Sequence, residues 1–348
     1  MNTKRLKKVQ SILEDPLLIK KKENLLYLTG QNFDHRAEEY LLIKKHDAIA
    51  FGSGLEKIDW FKKTDQLRNI GKHLPARSSL NIERVFTYAE GEYLQFKLKS
   101  AKCKVSPARS AVDIVRHIKE KEELENIRKS MQIVEKVFKD VRKEIKKPEL
   151  TEIVLAQFIQ KKGLLYGAEG ISFPAIVASG AHAAIPHHVP ENKKLVRGES
   201  IILDFGFKYK NYCSDFTRTV FLGHAPKKLA EAYNQVEKAY NECIALISSQ
   251  KTTGDQAYQK AVNVLAEKHL DKYFTHSLGH GTGLEIHELP NLSPKSNDML
   301  QDGMVFSIEP GVYMTKLGGI RIEDLVYMEK GKVKKFINIS TKLEDNVL

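Results

Sequence analysis

Asp204, Asp215, His280, Glu309 and Glu323 are the residues of this chain whose types and spacing best suit chemistry. Four carboxylates and one imidazole form a donor set for divalent cations, and a pair of cations activates water for hydrolysis. Asp204 lies in Ile201-Ile202-Leu203-Asp204-Phe205-Gly206-Phe207, and Asp215 in Cys213-Ser214-Asp215-Phe216-Thr217-Arg218-Thr219-Val220-Phe221. Both runs are rich in β-branched and aromatic residues, and the polar stretch Lys208 to Asn211 between them makes a hairpin pattern. A turn centred on Tyr209 and Lys210 sets Asp204 opposite Asp215, on one sheet face. The construction recurs where Val305 to Tyr313 and Gly319 to Tyr327 flank Lys316-Leu317-Gly318, so that a turn at Lys316 pairs Glu309 with Glu323. Facing carboxylates on partly buried strands repel and are costly to desolvate unless a cation lies between them. One such acid reads equally well as a solvated strand residue. Two facing pairs together do not.

The histidine stands in His276-Ser277-Leu278-Gly279-His280-Gly281-Thr282-Gly283-Leu284-Glu285-Ile286-His287-Glu288. Gly279, Gly281 and Gly283 allow unusual dihedrals or close backbone approach where ligand, substrate and a second strand crowd together. The predominance of oxygen donors favours manganese, iron or another oxygen-tolerant metal over a structural zinc site.

The elements that must position these residues extend over a chain of 348 residues, long enough for two domains or one large one. No apolar run of about 18 residues is present, and no membrane partner is expected. The basic N-terminal residues lack an apolar region behind them, and the expected location is the cytoplasm. Cys103, Cys213 and Cys243 are odd in number and unpatterned, suggesting neither a disulfide framework nor a cysteine zinc site. Cys213 either borders the cations or fills apolar space. The net charge of +12 raises nucleic acid, but the lysines are dispersed and no aromatic-interleaved basic motif follows; nucleic-acid binding is not expected.

Residues 1–115 mix short strand-like runs (Asn24 to Leu28, Ala48 to Phe51) with helical ones and read as a separate α/β domain. After a break near Ser106-Pro107-Ala108-Arg109, residues 116–348 begin with a long helix. Its Ile127, Met131, Val134, Phe138, Val141 and Ile145 share one face, and Lys147-Pro148 ends it. Further helices are expected near 152–165, 229–247 and 255–269. Helix, helix, hairpin thus occurs twice, and a pseudo-two-fold axis between the halves would bring both carboxylate pairs together.

These residues resemble the proline-specific metallopeptidases, aminopeptidase P and prolidase, relatives of methionine aminopeptidase with the pita-bread fold. The matching pieces are Leu203-Asp204-Phe205-Gly206, Ser214 to Thr219, Gly279 to Glu288, Ile308-Glu309-Pro310-Gly311 and Gly319 to Asp324. Val177 to His187 is similar to the family's histidine loop, and Asn24 to Gly30 to a signature of its N-terminal domain. The resemblance implies an α/β (α+β) chain, with a creatinase-like α/β domain preceding a catalytic pita-bread domain of two pseudo-symmetric helix-helix-hairpin halves. It implies two divalent cations, manganese first and cobalt, iron or zinc as alternatives. Asp204 would chelate one, His280 and Glu309 the other, and Asp215 and Glu323 would bridge them. Glu309 would also carry the proton, His187 and His287 would bind substrate and stabilise the tetrahedral intermediate, and Arg321 would orient ligand or substrate. His276 and Glu288 are either supports of the site or structural. The expected substrate is a peptide with proline second, cut by an Xaa-Pro aminopeptidase. The alternatives are an Xaa-Pro dipeptidase and, more remotely, a non-catalytic interaction protein of the same fold. The resemblance also implies a homodimer.

Overall fold

The computed structural model describes residues 3–33, 38–52 and 64–348. The chain divides into two compact units, Met1–Arg116 and His117–Leu348.

The first unit carries a six-stranded mixed sheet, built from β1 (Leu17–Ile19), β2 (Tyr40–Lys44), β3 (Asp47–Phe51), β4 (Thr64–Asp65), β5 (Ser79–Glu83) and β6 (Lys104–Ala108), in the order β4-β3-β2-β1-β5-β6. Its helices are α1 (Thr3–Ser11), α2 (Lys22–Thr29), α3 (Tyr88–Lys97) and α4 (Ala111–Arg116). Two expectations are corrected. Asn24 to Leu28, expected as a strand, lies in α2, because Gly30 takes a left-handed φ of 74° and closes the helix with its N–H on the Leu26 carbonyl. A short apolar run does not distinguish a strand from a buried helix. Ser106 to Ala108, expected as a break, belongs to β6, the edge strand, where Pro107 is tolerated.

In the second unit α5 (Lys121–Glu144) buries five of the residues predicted to share its inner face, the sixth, Ile145, is buried as its C-cap, so the helix ends before Lys147-Pro148, and α6 spans Glu152–Leu165 as expected. The remaining helices are α7 (Lys227–Ser249) and α8 (Gly254–Ala266). Helix α8 stops three residues short of the expected end at His269, which takes a left-handed φ of 56°.

The strands that carry the site are β7 (Gly170–Ile171), β8 (Ile176–Ser179), β9 (Ser200–Asp204), β10 (Phe207–Tyr209), β11 (Tyr212–Cys213), β12 (Phe216–Phe221), β13 (Gly279–Gly281), β14 (Glu288–Leu292), β15 (Val305–Ile308), β16 (Gly311–Met314), β17 (Gly318–Arg321), β18 (Glu323–Glu329) and β19 (Lys332–Lys335). The main sheet runs β14-β13-β15-β18-β12-β9-β8, with β19 also on β18. The two hairpins meet where β12 pairs β18, Thr217 opposite Glu323.

The second hairpin has the expected register, since Ile308 pairs Asp324 and Gly311 pairs Arg321. The first is corrected. Its turn is Lys210-Asn211, with φ of 47° and 67°, the two-residue type that matches strand twist, so Tyr209 pairs Tyr212 and Asp204 faces Thr217 instead of Asp215. A two-residue offset keeps every side chain on its face, so Asp204 and Asp215 remain diagonal neighbours.

Candidate metal centre

Register alone assembles most of the site. Asp204 on β9 is opposite Thr217 on β12, Thr217 is opposite Glu323 at the start of β18, and Glu309 follows Ile308, the partner of Asp324. One row across four neighbouring strands therefore carries three of the five predicted ligands, and the threonine between them donates its hydroxyl to Glu323 Oε2 at 2.6 Å. Asp215, two residues before Thr217 on the same face, and His280, whose N–H meets Ser307 Oγ at 3.0 Å, complete the group.

Glycine makes room for the histidine by close approach and not by unusual dihedrals. A Cβ on Gly279 would lie 2.0 Å from the Ser307 carbonyl oxygen, and one on Gly281 equally close to that of Leu289.

The donor atoms fit cations. Asp215, His280 and Glu323 each place one ligand atom within 4.8 Å of the others. His280 Nδ1 donates to the Gly281 carbonyl at 3.1 Å, which leaves the Nε2 lone pair facing Asp215 Oδ2 at 3.5 Å and Glu309 Oε1 at 3.4 Å. Burial, then the neighbouring His287, pushes the His280 pKa down to about 4, so the ring is neutral at pH 7 and has a lone pair to offer. Asp204 Oδ1 is buried and has no hydrogen-bond partner among the described residues.

The carboxylates show the same need for positive charge. Burial, then the charges of Glu323, Asp204 and Glu309, raises Asp215 well above the usual range, and burial with the charges of Glu309 and Asp204 does the same to Glu323. Burial brings Glu309 up to about 8, and raises Asp204 against the opposing pull of Arg321. The sign of the pH dependence follows. An acid whose folded pKa is raised stabilises the fold fully below its ordinary pKa and loses that contribution as pH rises through the folded value. Metal-stripped protein is therefore expected to lose stability as pH rises from about 5 to about 8, and manganese is expected to raise Tm more at pH 8 than at pH 5, by on the order of 5 °C. Thermal melts with and without metal at both pH values check this; an equal metal effect at both would contradict it.

Around this group lies a cavity of about 600 Å³, lined by all five residues and by His187, His287, His276 and Arg321. The histidine loop is thereby sorted. His187 and His188 both line the cavity, but His188 is engaged, with His182, by Glu152. His287 packs edge-on against His280, with ring centroids 4.3 Å apart.

Arg321 Nη2 donates to Asp204 Oδ2 at 2.6 Å and Nη1 to Tyr313 Oη at 2.7 Å. Tyr313 in turn meets His276 Nε2 at 2.8 Å, and His276 Nδ1 donates to the Ser277 carbonyl. His276 thus supports the site through Tyr313 and Arg321. Glu288 pairs with buried Lys119. Cys213 is fully buried, outside the cavity lining, with Sγ 3.8 Å from the Leu284 carbonyl oxygen; it fills apolar space.

Sequence reasoning missed Tyr313, Thr217, Ser307, Lys119 and the pair Arg218 and Asp324. Arg218 is fully buried and spends its guanidinium on the carbonyls of Thr217, Glu323, Ile339 and Ser340 and on Asp324 Oδ1 at 2.7 Å. It fixes the backbone of Glu323. The available signal was position: Thr217 and Ser307 stand two residues from a predicted ligand on the same strand face.

Residues 125–330 match the profile of Metallopeptidase family M24. The chain is 32% identical to the "Xaa-Pro dipeptidase" of Pyrococcus horikoshii over 97% of its own length and 98% of that protein. It is 39% identical to a "Putative Xaa-Pro aminopeptidase" of Mycoplasma genitalium over 70% and 69%. The crystal structure of the prolidase from Pyrococcus horikoshii OT3 superposes with a TM-score of 0.87 at 31% identity, covering 98% of this chain and 99% of that one, which gives the second unit the pita-bread fold. This chain belongs to metallopeptidase family M24 and is a hydrolase.

Proposed function

We propose that the protein hydrolyses Xaa-Pro peptide bonds at a dinuclear metal centre held by Asp204, Asp215, His280, Glu309 and Glu323, and that dipeptides are its main substrates. The observation that carries the reaction class is the convergence of these five donors on one cavity, with a neutral imidazole lone pair and an unpartnered carboxylate oxygen directed inward. Proline rests on the relatives of matching length, and the preference for dipeptides on those of them named "Xaa-Pro dipeptidase". A second reading, the Xaa-Pro aminopeptidase, rests on another relative of matching length, named "Putative Xaa-Pro aminopeptidase".

Two divalent cations held by these residues would supply a bound water of lowered pKa and polarisation of a substrate carbonyl. Glu309, oriented by the Ser307 hydroxyl at 3.2 Å, accepts the proton from the attacking water and delivers it to the proline nitrogen as the C–N bond breaks. His187 and His287, which line the cavity, are the donors assigned to the substrate and to the oxyanion of the tetrahedral intermediate. Arg321 fixes Asp204 and leaves its second oxygen for a cation.

Manganese as the resident metal, a homodimeric assembly and a cytoplasmic location belong to the same proposal. Three buried free cysteines suit a reducing compartment. Release of glycine from Gly-Pro, Gly-Pro-Ala and Gly-Ala-Ala, measured side by side with manganese supplied, tests it. Turnover of Gly-Pro alone is the expected result. Cleavage of Gly-Pro-Ala as well makes the protein an aminopeptidase, and preferential cleavage of Gly-Ala-Ala contradicts proline specificity.

A further inference from the structure

A second convergence of donors lies under the histidine loop and shares no residue with the dinuclear centre. Glu152, at the start of α6, is fully buried, and its Oε2 lies 2.9 Å from His188 Nε2 and 3.0 Å from His182 Nδ1. The three residues place one ligand atom each within 4.8 Å of the others, and the two imidazole rings lie with centroids 4.2 Å apart, tilted by 34°.

Hydrogen bonding alone overfills this carboxylate. Oε1 already takes the N–H and the hydroxyl of Ser179, both at 2.7 Å, and Oε2 takes the Glu191 N–H at 3.2 Å. With His188 at one oxygen and His182 Nδ1 shared between both, five donors compete for about four lone-pair positions. A cation in place of the two imidazole protons relieves that excess. Lys193 is the nearest opposing charge; its ammonium bonds Ser179 Oγ at 2.8 Å and is neutralised by Glu199 at 2.6 Å.

We infer that Glu152, His182 and His188 form a third metal site, for a zinc-class cation, that pins the loop carrying His187. Two imidazoles and one carboxylate are a protein set known for zinc, with the fourth position left to water, whereas the oxygen-rich centre suits manganese. His182, with a quarter of its side chain exposed, gives the ion and its water an entry. Once bound, the cation joins α6 to the loop at the residue next to His187, and Arg321 Nη1 holds the other side of that residue through the Pro186 carbonyl at 3.3 Å.

The test counts zinc. Wild-type protein, His182→Ala and Asp215→Asn are stripped, loaded with zinc, equilibrated against a weak chelator and measured by elemental mass spectrometry, with circular dichroism as the check on folding. Wild type is expected to keep one zinc per chain more than folded His182→Ala. Equal counts in these two overturn the third site. The Asp215→Asn count separates that failure from failure of the dinuclear reading, because it falls below wild type only if the main centre binds zinc through Asp215.

Discussion

Glu309→Gln is expected to lower kcat/KM for Gly-Pro by a factor on the order of 10³ to 10⁴ and, in the metal-stripped protein, to raise Tm at pH 8. The two effects have one cause. Glu309 is among the buried acids whose mutual repulsion bound cations would relieve, and burial brings its carboxyl to a pKa of about 8. Glutamine keeps the shape and the hydrogen bond from Ser307 but removes the charge and the proton acceptor. The variant should therefore be worse as an enzyme and better as a metal-free fold. Steady-state kinetics and melts of the same preparation check both halves. Activity within tenfold of wild type would remove Glu309 from proton transfer; a lowered Tm without metal would contradict the electrostatic argument.

The second large effect concerns a residue that touches no substrate. Asp324→Asn is expected to cost about 3 to 5 kcal/mol of stability, because it leaves the guanidinium of Arg218 buried without its counter-charge. Arg218 and Asp324 are both almost fully buried. Asparagine is nearly isosteric, so the loss reports charge and not volume. Burial alone would raise the Asp324 pKa, but Arg218, Lys335 and the Tyr240 hydroxyl outweigh it and hold the carboxyl below its ordinary range. Stability from such a lowered acid is present above the unfolded pKa, near 4, and is lost as pH falls through the folded value. The gap between wild type and variant in urea unfolding should hence be full at pH 7 and shrink below about pH 4. A gap that grows in acid would show that the pair is not the source. Because Arg218 also holds the Glu323 carbonyl at 2.6 Å, the variant should bind metal more weakly.

The five predicted metal-binding residues, the face they share and the register of the second hairpin were legible because chemistry and strand period coincide there: acids on a strand face must be wet, paired or metal-bound. The first register was missed by two residues because Lys210, a poor residue for φ above zero, accepts a left-handed conformation beside Asn211. Asn24 to Leu28 was misread because its helix end depends on the conformation of Gly30, which an apolar run does not encode. Tyr313 and Arg218 were invisible for a different reason. Tyr313 acts by bridging Arg321 and His276, and Arg218 by reaching Ser340 more than a hundred residues along the chain. Spacing along a strand carries no trace of either contact.

A crystal of the manganese-loaded protein, with anomalous diffraction recorded at the manganese edge, tests the central claim most directly. Two peaks are expected roughly 3.5 to 4 Å apart, both touched by Asp215 and Glu323, one also by Asp204 and the other by His280 and Glu309. A single peak, or a pair not bridged by Asp215 and Glu323, would contradict it.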